Sequence, residues 1–293
     1  MLSLSKLISN YQKVKIFKTS TLGNPQSPIK TFNLIPKNPI HHLPGQYIDI
    51  NPDIKNCRKL SLSLLSYDPN LLKIAVKNSE HPTVKLLHEN VPDENGNLEK
   101  FTCPLNLLKN LDEDNINEFE RLDYEGYENL PSFPDLGKVD EIDIKINSDT
   151  SFVLDRETYE TKNIILIAGG IGINAYMSML EFAKNANLDT KSTITLIILV
   201  KDKNSDIFRS ELKNYQNSIT PNHLKIEKFI VHDNIDKVKP LLKKLDKNSK
   251  TFICGPSGMI KSFINVLERF GYEDIVVENW AMKAFDLHIK GRN

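Results

Sequence analysis

The sequence predicts an antiparallel β-barrel followed by an α/β domain with a Rossmann-like parallel sheet, and three observations support this fold class. Short alternating apolar runs, separated by Pro, Asn and Gly, extend from Lys13 to about Val91, as in antiparallel strands. After Thr161, apolar runs alternate with helical patterns, as in a parallel sheet with crossover helices. The chain has 293 residues, more than one average domain. We therefore expect two domains, at residues 1–160 and 161–293.

The first domain contains five runs with the period-two alternation of strands. They are KVKIF (13–17), TFNLI (31–35), QYIDI (46–50), LSLSLL (60–65) and KIAVK (73–77). Residues 91–137 differ, because they hold twelve acidic and three basic residues together with several prolines. This composition predicts an acidic insertion or a long surface loop. The runs VDEIDIKI (139–146) and SFVLD (151–155) return to strand character, and we expect them to close the barrel.

The second domain contains five apolar runs that are short enough for buried strands. They are NIILIAGG (163–170), TITLIILV (193–200), HLKIEKFIV (223–231), TFICG (251–255) and DIVVE (274–278). Helical patterns lie between them, at 174–184, 206–215, 236–245 and 257–270. Because a parallel sheet binds ligands at the carboxyl ends of its strands, we expect functional residues at those ends.

Charge and cysteine content argue against several function classes. The 38 basic and 38 acidic residues cancel, so neither nucleic acid nor an anionic membrane is expected as the main partner. No apolar run approaches the roughly 20 residues of a transmembrane helix, which predicts a soluble protein. Cys57, Cys103 and Cys254 are far apart, so we expect a reducing compartment and neither disulfides nor a metal cluster. His81 and His88 have no second ligand pair, and we expect no metal site.

The start of the chain is rich in lysine and serine and has no acidic residue before Asp49, as in mitochondrial presequences. It lacks arginine, however, and the strand pattern from Lys13 leaves about ten residues for a targeting segment. Mitochondrial and cytoplasmic locations both remain open, and the oligomeric state is not predicted.

The sharpest local signal is IAGGIGINAYMSML (167–180), in which a buried strand is followed directly by a helix. Gly169, Gly170 and Gly172 would let the backbone approach a ligand closely, and the start of the helix would attract a pyrophosphate. A tight strand-to-helix turn also needs glycine for packing alone, so both interpretations stay open.

The segment TFICGPSGM (251–259) predicts a second turn of this kind at the end of another strand. Ser257 could simply cap the helix that follows, which would be a structural role. Two such turns on one parallel sheet can face a common crevice, and the thiol of Cys254 would then lie at its edge.

In the first domain, PGQYIDI (44–50) is followed by CRKLSLSLLS (57–66). At the end of a strand, Arg58 could pair with a phosphate while the Ser61 hydroxyl reaches a ring nitrogen. A surface arginine and a strand serine without any ligand also explain these residues.

Four motifs, taken together and in this order, resemble those of the ferredoxin–NADP reductase-like flavoprotein family: PGQY (44–47), RKLS (58–61), GGIGINA (169–175) and CGPSGM (254–259). The resemblance covers almost the whole chain apart from the acidic insertion and the last dozen residues. Within the family, the chain is similar to the oxidoreductase NAD-binding domain-containing subgroup, through AVKNSEHP (75–82), IAGGIGIN (167–174) and VVENW (276–280). It departs from the family at Leu60, which replaces an aromatic residue, and at Ala175, which replaces proline.

The resemblance implies that the barrel binds FAD or FMN and that the second domain binds NAD(H) or NADP(H). The implied flavin contacts, with Arg58 near the phosphates and Ser61 near N5, are Arg58, Lys59, Leu60, Ser61, Lys77, Ser79, Thr83 and Trp280. The implied nucleotide contacts are Gly169, Gly170, Ile171, Gly172, Ile173, Asn174, Cys254, Gly255, Pro256 and Met259. Ser61 and Cys254 are the candidate catalytic residues.

These expectations predict an oxidoreductase that moves a hydride from NAD(P)H to the flavin and then passes electrons to an unknown acceptor, which could be a protein. NADP(H) needs cations after the second strand of the sheet, where Lys201, Lys203 and Arg209 are available. Because Asp202 and Asp206 lie among them, we favour NADH.

Two alternatives remain open. Leu60 is compatible with a non-enzymatic nucleotide-binding module that has lost its flavin. An S-adenosylmethionine-dependent methyltransferase would use the glycine-rich turn, although it would leave the barrel motifs unexplained.

Overall fold

The chain forms two six-stranded sheets, one in each half. The computed structural model describes residues 11–22, 28–52, 59–98, 138–147, 150–186, 192–201, 207–219, 223–230, 235–278 and 288–289. The first sheet ends at Ile146 and the second begins at Ile164, so the predicted domain boundary at 160/161 falls in the segment that connects them. Within the described ranges, no helix is long and apolar enough to cross a membrane.

The first sheet is antiparallel and closes into a barrel, as predicted. Its strands are β1 (Gln12–Leu22), β2 (Ile29–Pro36), β3 (Tyr47–Asn51), β4 (Leu60–Ser63), β5 (Leu72–Lys77) and β6 (Glu141–Ile146). They follow the order β4-β3-β6-β1-β2-β5. Just beyond β4, the backbone N–H of Leu65 donates to the carbonyl of Lys73 in β5 at 2.8 Å. This bond joins the first and last strands of the order.

Inward-facing side chains fill the barrel because alternate residues of a strand point to the same face. Ile16, Phe32, Ile48 and Ile74 are each at most 1% exposed and belong to one apolar cluster. Burial of such side chains stabilises the fold by roughly 25 cal/mol per Å² of apolar surface. The barrel thus has a core of its own.

Helix α1 (Pro82–Asn90) packs against the barrel core, and the strand-like sequence pattern does not predict it. His81 caps its start by accepting a hydrogen bond from the Thr83 N–H at 3.3 Å. Lys30, which is 1% exposed, donates from Nζ to the carbonyl of His88 in the last turn at 2.9 Å. A cation at this end of a helix is favourable because the helix dipole places partial negative charge there.

The predicted strand at 151–155 is wrong, because the structure has no strand at these residues. Phe152 and Leu154 are fully buried in a cluster between the two domains, and the N–H of Leu154 donates to the carbonyl of Pro44 at 3.0 Å. The alternation therefore reflects burial at the domain boundary. The other predicted run forms β6, which pairs with both β3 and β1 and so completes the sheet between them.

The second sheet has five parallel strands and a short antiparallel edge strand. They are β7 (Ile164–Gly169), β8 (Ile194–Val200), β9 (Leu224–Ile230), β10 (Lys250–Cys254), β11 (Ile275–Glu278) and β12 (His288–Ile289). The order β12-β11-β10-β7-β8-β9 puts β7, the first strand of this domain, between β8 and β10. Open parallel sheets bind ligands at such a point, where the strand order reverses direction. The predicted Rossmann-like sheet is confirmed.

Five helices accompany this sheet in the described part of the chain. They are α2 (Arg156–Thr161), α3 (Asn174–Ala186), α4 (Arg209–Ser218), α5 (Lys239–Lys244) and α6 (Ser257–Arg269). The helix predicted at 236–245 is divided into a short 3-10 turn (Ile235–Lys237) and α5. Pro240 lies in the first turn of α5, where a proline does not remove a needed N–H.

A single apolar cluster joins the two domains. It contains Leu65 and Ala75 from the barrel, Tyr176 from α3 and Phe252 from β10. Helix α3 therefore lies between the barrel and the sheet, while α5 and α6 cover the other face of the sheet. The glycine-rich turn at the start of α3 is thereby held at the domain boundary.

Candidate functional site

Two turns lie in contact at the carboxyl ends of β7 and β10. The first leads from Gly169 through a 3-10 turn (Gly170–Ile173) into α3, and the second leads through Gly255 into α6. A Cβ atom on Gly255 would lie 3.0 Å from the Cα of Gly169, and one on Gly172 would overlap the carbonyl oxygen of Cys254. Packing between the turns therefore explains why these positions lack side chains.

Gly170 has a different environment. It is exposed, its φ is +54°, and apart from its chain neighbours and its own helical turn no described residue has an atom within 4 Å of its Cβ position. Its backbone is therefore accessible at the start of the helical segment, where the helix dipole favours negative charge. This side of the turn is therefore open to solvent.

Four other residues of the two predicted motifs shape the turns. Ile173 is 1% exposed, and both it and Ile171 pack in the cluster between the domains. Met259 lies against the first turn, where its sulfur would overlap a Cβ atom on Gly169. Pro256 is exposed and directly precedes α6.

Polar side chains lie beneath the turns at the ends of β10 and β11. Cys254 is 0% exposed and belongs to the cluster that faces the barrel, and Glu278 is its register partner on β11. The Tyr176 hydroxyl donates to the carbonyl of Ile167 at 2.9 Å. Burial, with smaller contributions from nearby Cys254 and Glu278, raises the pKa of Tyr176 well above its usual value. The hydroxyl therefore stays protonated and keeps its role as a donor.

On the barrel, Ser61 lies on the outer face of β4. Leu60 and Leu62 pack against the barrel core, so Ser61 between them points the other way. Its hydroxyl donates to Oδ1 of Asp49 at 2.6 Å across the β3–β4 pair. Leu65, on the same outer face, belongs to the cluster between the domains. The outer face of this strand thus leads from Ser61 to the boundary beside α3.

Lys77, Ser79 and Thr83 come together where β5 ends and α1 begins. Lys77 and Ser79 are exposed, and the Ser79 hydroxyl accepts a hydrogen bond from the His81 N–H at 3.4 Å. Thr83 is fully buried in the first turn of α1. The segment presents a lysine and a serine beside the start of a helix.

Two predicted flavin contacts, Arg58 and Trp280, lie outside the described residues, as does most of the predicted acidic insertion, 99–137. Lys59 is described and exposed, and its Nζ lies 5.0 Å from the centre of the Tyr11 ring. Its ammonium group thus contacts an aromatic ring of the barrel's first segment.

A groove of about 270 Å³ lies between α4 and β9. It is lined by Arg209, Leu212, Lys213, Gln216, Ile226 and Lys228. Arg209 and Lys213 are one turn apart and share a face of α4. The groove contains Arg209, one of the cations predicted after the second strand of this sheet, and adds Lys213 and Lys228 to them. Of the other predicted cations there, Lys201 is exposed and Lys203 lies outside the described residues.

Asn174 differs from the rest of its motif because its side chain contacts the barrel. Its Nδ2 donates to the carbonyl of Ala75 in β5 at 3.0 Å. Ser178 and Glu181, on the same helix, also accept hydrogen bonds from the barrel, and sequence reasoning missed both. Their spacing of four and three residues, with only apolar residues between them, is the signal that could have found them.

Comparison with known proteins yields matches in sequence and in structure. Residues 161–237 match the family model of the ferric reductase NAD-binding domain. The ferredoxin–NADP+ reductase of Plasmodium falciparum superposes with a TM-score of 0.62 at 19% identity, covering 92% of this chain and 97% of that one. Phthalate dioxygenase reductase gives a TM-score of 0.60 at 16% identity, covering 92% of this chain and 68% of that one.

A further structural match is the flavohem-like FAD/NAD-binding domain of nitric oxide dioxygenase from Vibrio cholerae O1 biovar El Tor. Its TM-score is 0.54 at 16% identity, covering 92% of this chain and 98% of that one. The comparison with curated proteins gives no match. The chain therefore has the two-domain fold of the ferredoxin–NADP+ reductase-like flavoproteins, and over residues 161–237 its sequence matches the ferric reductase NAD-binding domain.

Proposed function

We propose that the protein is a flavin-dependent oxidoreductase, in which NAD(P)H reduces FAD or FMN by hydride transfer and electrons then pass to an acceptor. The observation that supports this most strongly is the contact between the turns at Gly172 and Cys254, at the point where the strand order reverses. The helix that leaves this point lies directly against the barrel. Two ligands bound by the two domains would therefore meet at one boundary.

A pyridine nucleotide fits the residues of the second domain. The exposed backbone at Gly170 offers an anion site at the start of a helical segment. We propose that a pyrophosphate binds there, with Gly255 and Pro256 along the opposite wall. Cys254 would then border the nicotinamide from beneath.

We propose that a flavin binds along the outer face of β4 and β5. Ser61 would lie near the ring nitrogen N5, and Lys77 and Ser79 near the phosphates, together with Arg58. Leu60 packs into the barrel core and does not supply the aromatic surface usual in the family. The ring would therefore depend on other contacts, among which we propose Trp280.

The protein residues would position and shield the reactants, because a bound flavin itself supplies the two-electron chemistry. Asp49 accepts a hydrogen bond from the Ser61 hydroxyl, and we propose that this hydroxyl turns to the flavin N5 when the flavin binds. The buried cluster around Tyr176 and Cys254 excludes water from beneath the turns. Holding two reactants in contact accounts for much of the rate gain in such reactions.

The identity of the nucleotide and of the acceptor extends this proposal. We favour NADH, because Asp202 and Asp206 lie among the cations that NADP(H) would need. The acceptor is a small molecule or a protein that takes electrons singly or in pairs. Mitochondrial and cytoplasmic locations both suit such a reaction.

The test is to purify the protein, release and identify any bound flavin, and titrate the flavin-loaded protein with NADH and NADPH without oxygen. We expect a yellow protein whose flavin absorbance is bleached by NADH. A colourless protein that binds nucleotide but refuses FAD and FMN at saturation would leave only a nucleotide-binding module. A thermal shift with S-adenosylmethionine and none with NADH would indicate the methyltransferase.

A further inference from the structure

One face of helix α3 has three polar side chains, spaced by four and three residues, that all bond to the barrel. They are Asn174, Ser178 and Glu181, and the helix around them is largely apolar and buried. Residues with this spacing lie above one another on a helix. We call this set the polar face of α3.

Each member bonds to the backbone of a different barrel segment. The Asn174 Nδ2 donates to a carbonyl of β5 at 3.0 Å. The Ser178 hydroxyl accepts from the N–H of Gly45, in the turn before β3, at 3.0 Å. The Glu181 carboxylate accepts from the N–H of Tyr67, in the segment between β4 and β5.

Three bonds at successive turns fix both the position of the helix along its axis and its rotation. Apolar packing alone is non-directional and would not do so. Hydrogen bonds are directional, and one of the three partners, the carbonyl of Ala75, lies in strand β5. The polar face of α3 thus holds the glycine-rich turn, at the start of this helix, in a fixed orientation relative to the barrel.

Asn174 is the member nearest the predicted ligands. It is the first residue of α3, two positions after Gly172, and it is 6% exposed. Its Oδ1 is buried without a hydrogen-bond partner among the described residues. Burying an unpaired oxygen is unfavourable, so the amide is not explained by packing. The Asn174 amide nitrogen donates a hydrogen bond to the carbonyl of Ala75, and an apolar side chain at this position could not make that bond.

We propose that Asn174, supported by Ser178, is a positioning residue that sets the approach of nicotinamide to flavin by fixing α3 to the barrel. This inference rests on the proposed function. Asn174 acts through the glycine-rich turn and the barrel strand, and it contacts no reacting atom. A substitution at Asn174 should therefore change the rate of hydride transfer and not the affinity for the nucleotide, since nucleotide binding depends on the glycine-rich turn itself.

The test compares the wild type with Asn174→Ala and Asn174→Asp in the flavin-loaded protein. Asn185→Ala is the matched control, because Asn185 is exposed on the same helix. Stopped-flow reduction by NADH yields the limiting rate and the nucleotide Kd. We expect each Asn174 variant to lower the limiting rate by about tenfold or more, while the Kd changes by less than about threefold. Asn174→Asp should be the slower variant, because its carboxylate would face the Ala75 carbonyl.

A second readout needs no ligand. The amide proton of Gly45 bonds to Ser178, so its hydrogen exchange reports whether the polar face is engaged. We expect faster exchange at Gly45 in Asn174→Ala, although the substitution is one turn away, and unchanged exchange in Asn185→Ala. Should Asn174→Ala fail to fold, Ser178→Ala replaces it in the kinetic test with the same expected loss of rate.

Two results separate this inference from the proposed function. If the wild type binds flavin but NADH and NADPH never reduce it, the proposed function fails, and the role in hydride transfer fails with it. If the wild type is reduced and the variants match its limiting rate, only the positioning role fails. A lower melting temperature with an unchanged limiting rate would likewise make Asn174 a structural residue alone.

Discussion

The glycines at the two turns matter because most of them leave no room for a side chain. Gly172 meets the carbonyl of Cys254, and no side-chain movement can relieve an added methyl group there, because the contact is with backbone. Gly258, in the first turn of α6, has open space at its Cβ position. The two glycines therefore respond in opposite ways to the same substitution.

We predict that Gly172→Ala lowers the free energy of unfolding by about 1–3 kcal/mol, the usual cost of overpacking. Gly258→Ala is the control, and it should be neutral or stabilising by about 0.5–1 kcal/mol, because alanine suits a helix better. Urea denaturation followed by circular dichroism measures both. Equal stability of the two variants would contradict the contact between the turns.

A substitution at Ser61 tests the proposed flavin site most directly. We predict that Ser61→Ala slows flavin reduction by NADH about tenfold or more, because the Ser61 hydroxyl would turn from Asp49 to the flavin when the flavin binds, and a hydrogen bond to a charge-developing atom is worth about 1.5–3 kcal/mol. The control is Ser262→Ala, since the Ser262 hydroxyl donates within its own helix to the carbonyl of Gly258 at 2.9 Å. Identical reduction rates in Ser61→Ala and the wild type would remove Ser61 from the site.

Ser61 and Cys254 could be predicted because each lies in a short motif whose neighbours are read directly from the sequence. Asp49 could not, although it bonds to Ser61, because the pairing register of β3 with β4 brings the two together. Tyr176 was also missed, since an aromatic residue in an apolar helix gives no sign of a buried hydroxyl bond.

Among the elements, short connecting segments are where sequence patterns and structure diverge. The alternation at 151–155 arises because Phe152 and Leu154 are buried between the domains, and burial of alternate residues resembles a strand. Helix α1 was missed because it follows a run of strands and is capped by a histidine, an uncommon capping residue. Long elements with buried faces, such as β7 and α3, were predicted to within two residues at each end.

Helix α2 shows how a cap in such a connection depends on pH. Asp155 accepts hydrogen bonds from the N–H and the hydroxyl of Thr158, at 2.7 and 2.9 Å. Burial would raise the pKa of Asp155, but these bonds and the charge of Lys250 outweigh it and hold the pKa below the usual 3.8. Its stabilising contribution is therefore complete above the unfolded pKa and is lost as pH falls through the lower folded pKa.

We predict that Asp155→Ala lowers the free energy of unfolding by about 1 kcal/mol at neutral pH, as loss of an N-cap does. The difference from the wild type should shrink below pH 3.8, where the unfolded carboxylate is already protonated. Chemical denaturation across this pH range measures it. A difference that stays constant or grows on acidification would contradict the capping role.

The groove between α4 and β9 bears on the choice of nucleotide. Arg209 lies at its edge together with Lys213 and Lys228, so the groove can attract an additional phosphate. We predict that Arg209→Ala weakens binding of NADPH about tenfold, through loss of a charge-assisted contact worth about 1.4 kcal/mol or more, and leaves NADH binding unchanged. Isothermal titration with both nucleotides measures this, and equal losses for NADH and NADPH would contradict it.

For the whole molecule, the decisive feature is the boundary between barrel and sheet. The bonds that form it join residues 99 and 133 positions apart, so no local pattern in the sequence could have predicted them. The fold class could be predicted, since each domain has its own strand and helix periodicity. The relative placement of the domains could not, because it depends on contacts between residues that are far apart in the sequence.

The most direct test of the account is the anaerobic bleaching of protein-bound flavin by NADH carrying deuterium at one or the other C4 position. If the two ligands meet at the domain boundary in a fixed orientation, deuterium at only one of the two positions should slow the bleaching. Absence of bleaching, or bleaching at the same rate with both deuterated forms, would contradict hydride transfer between two ligands held in contact.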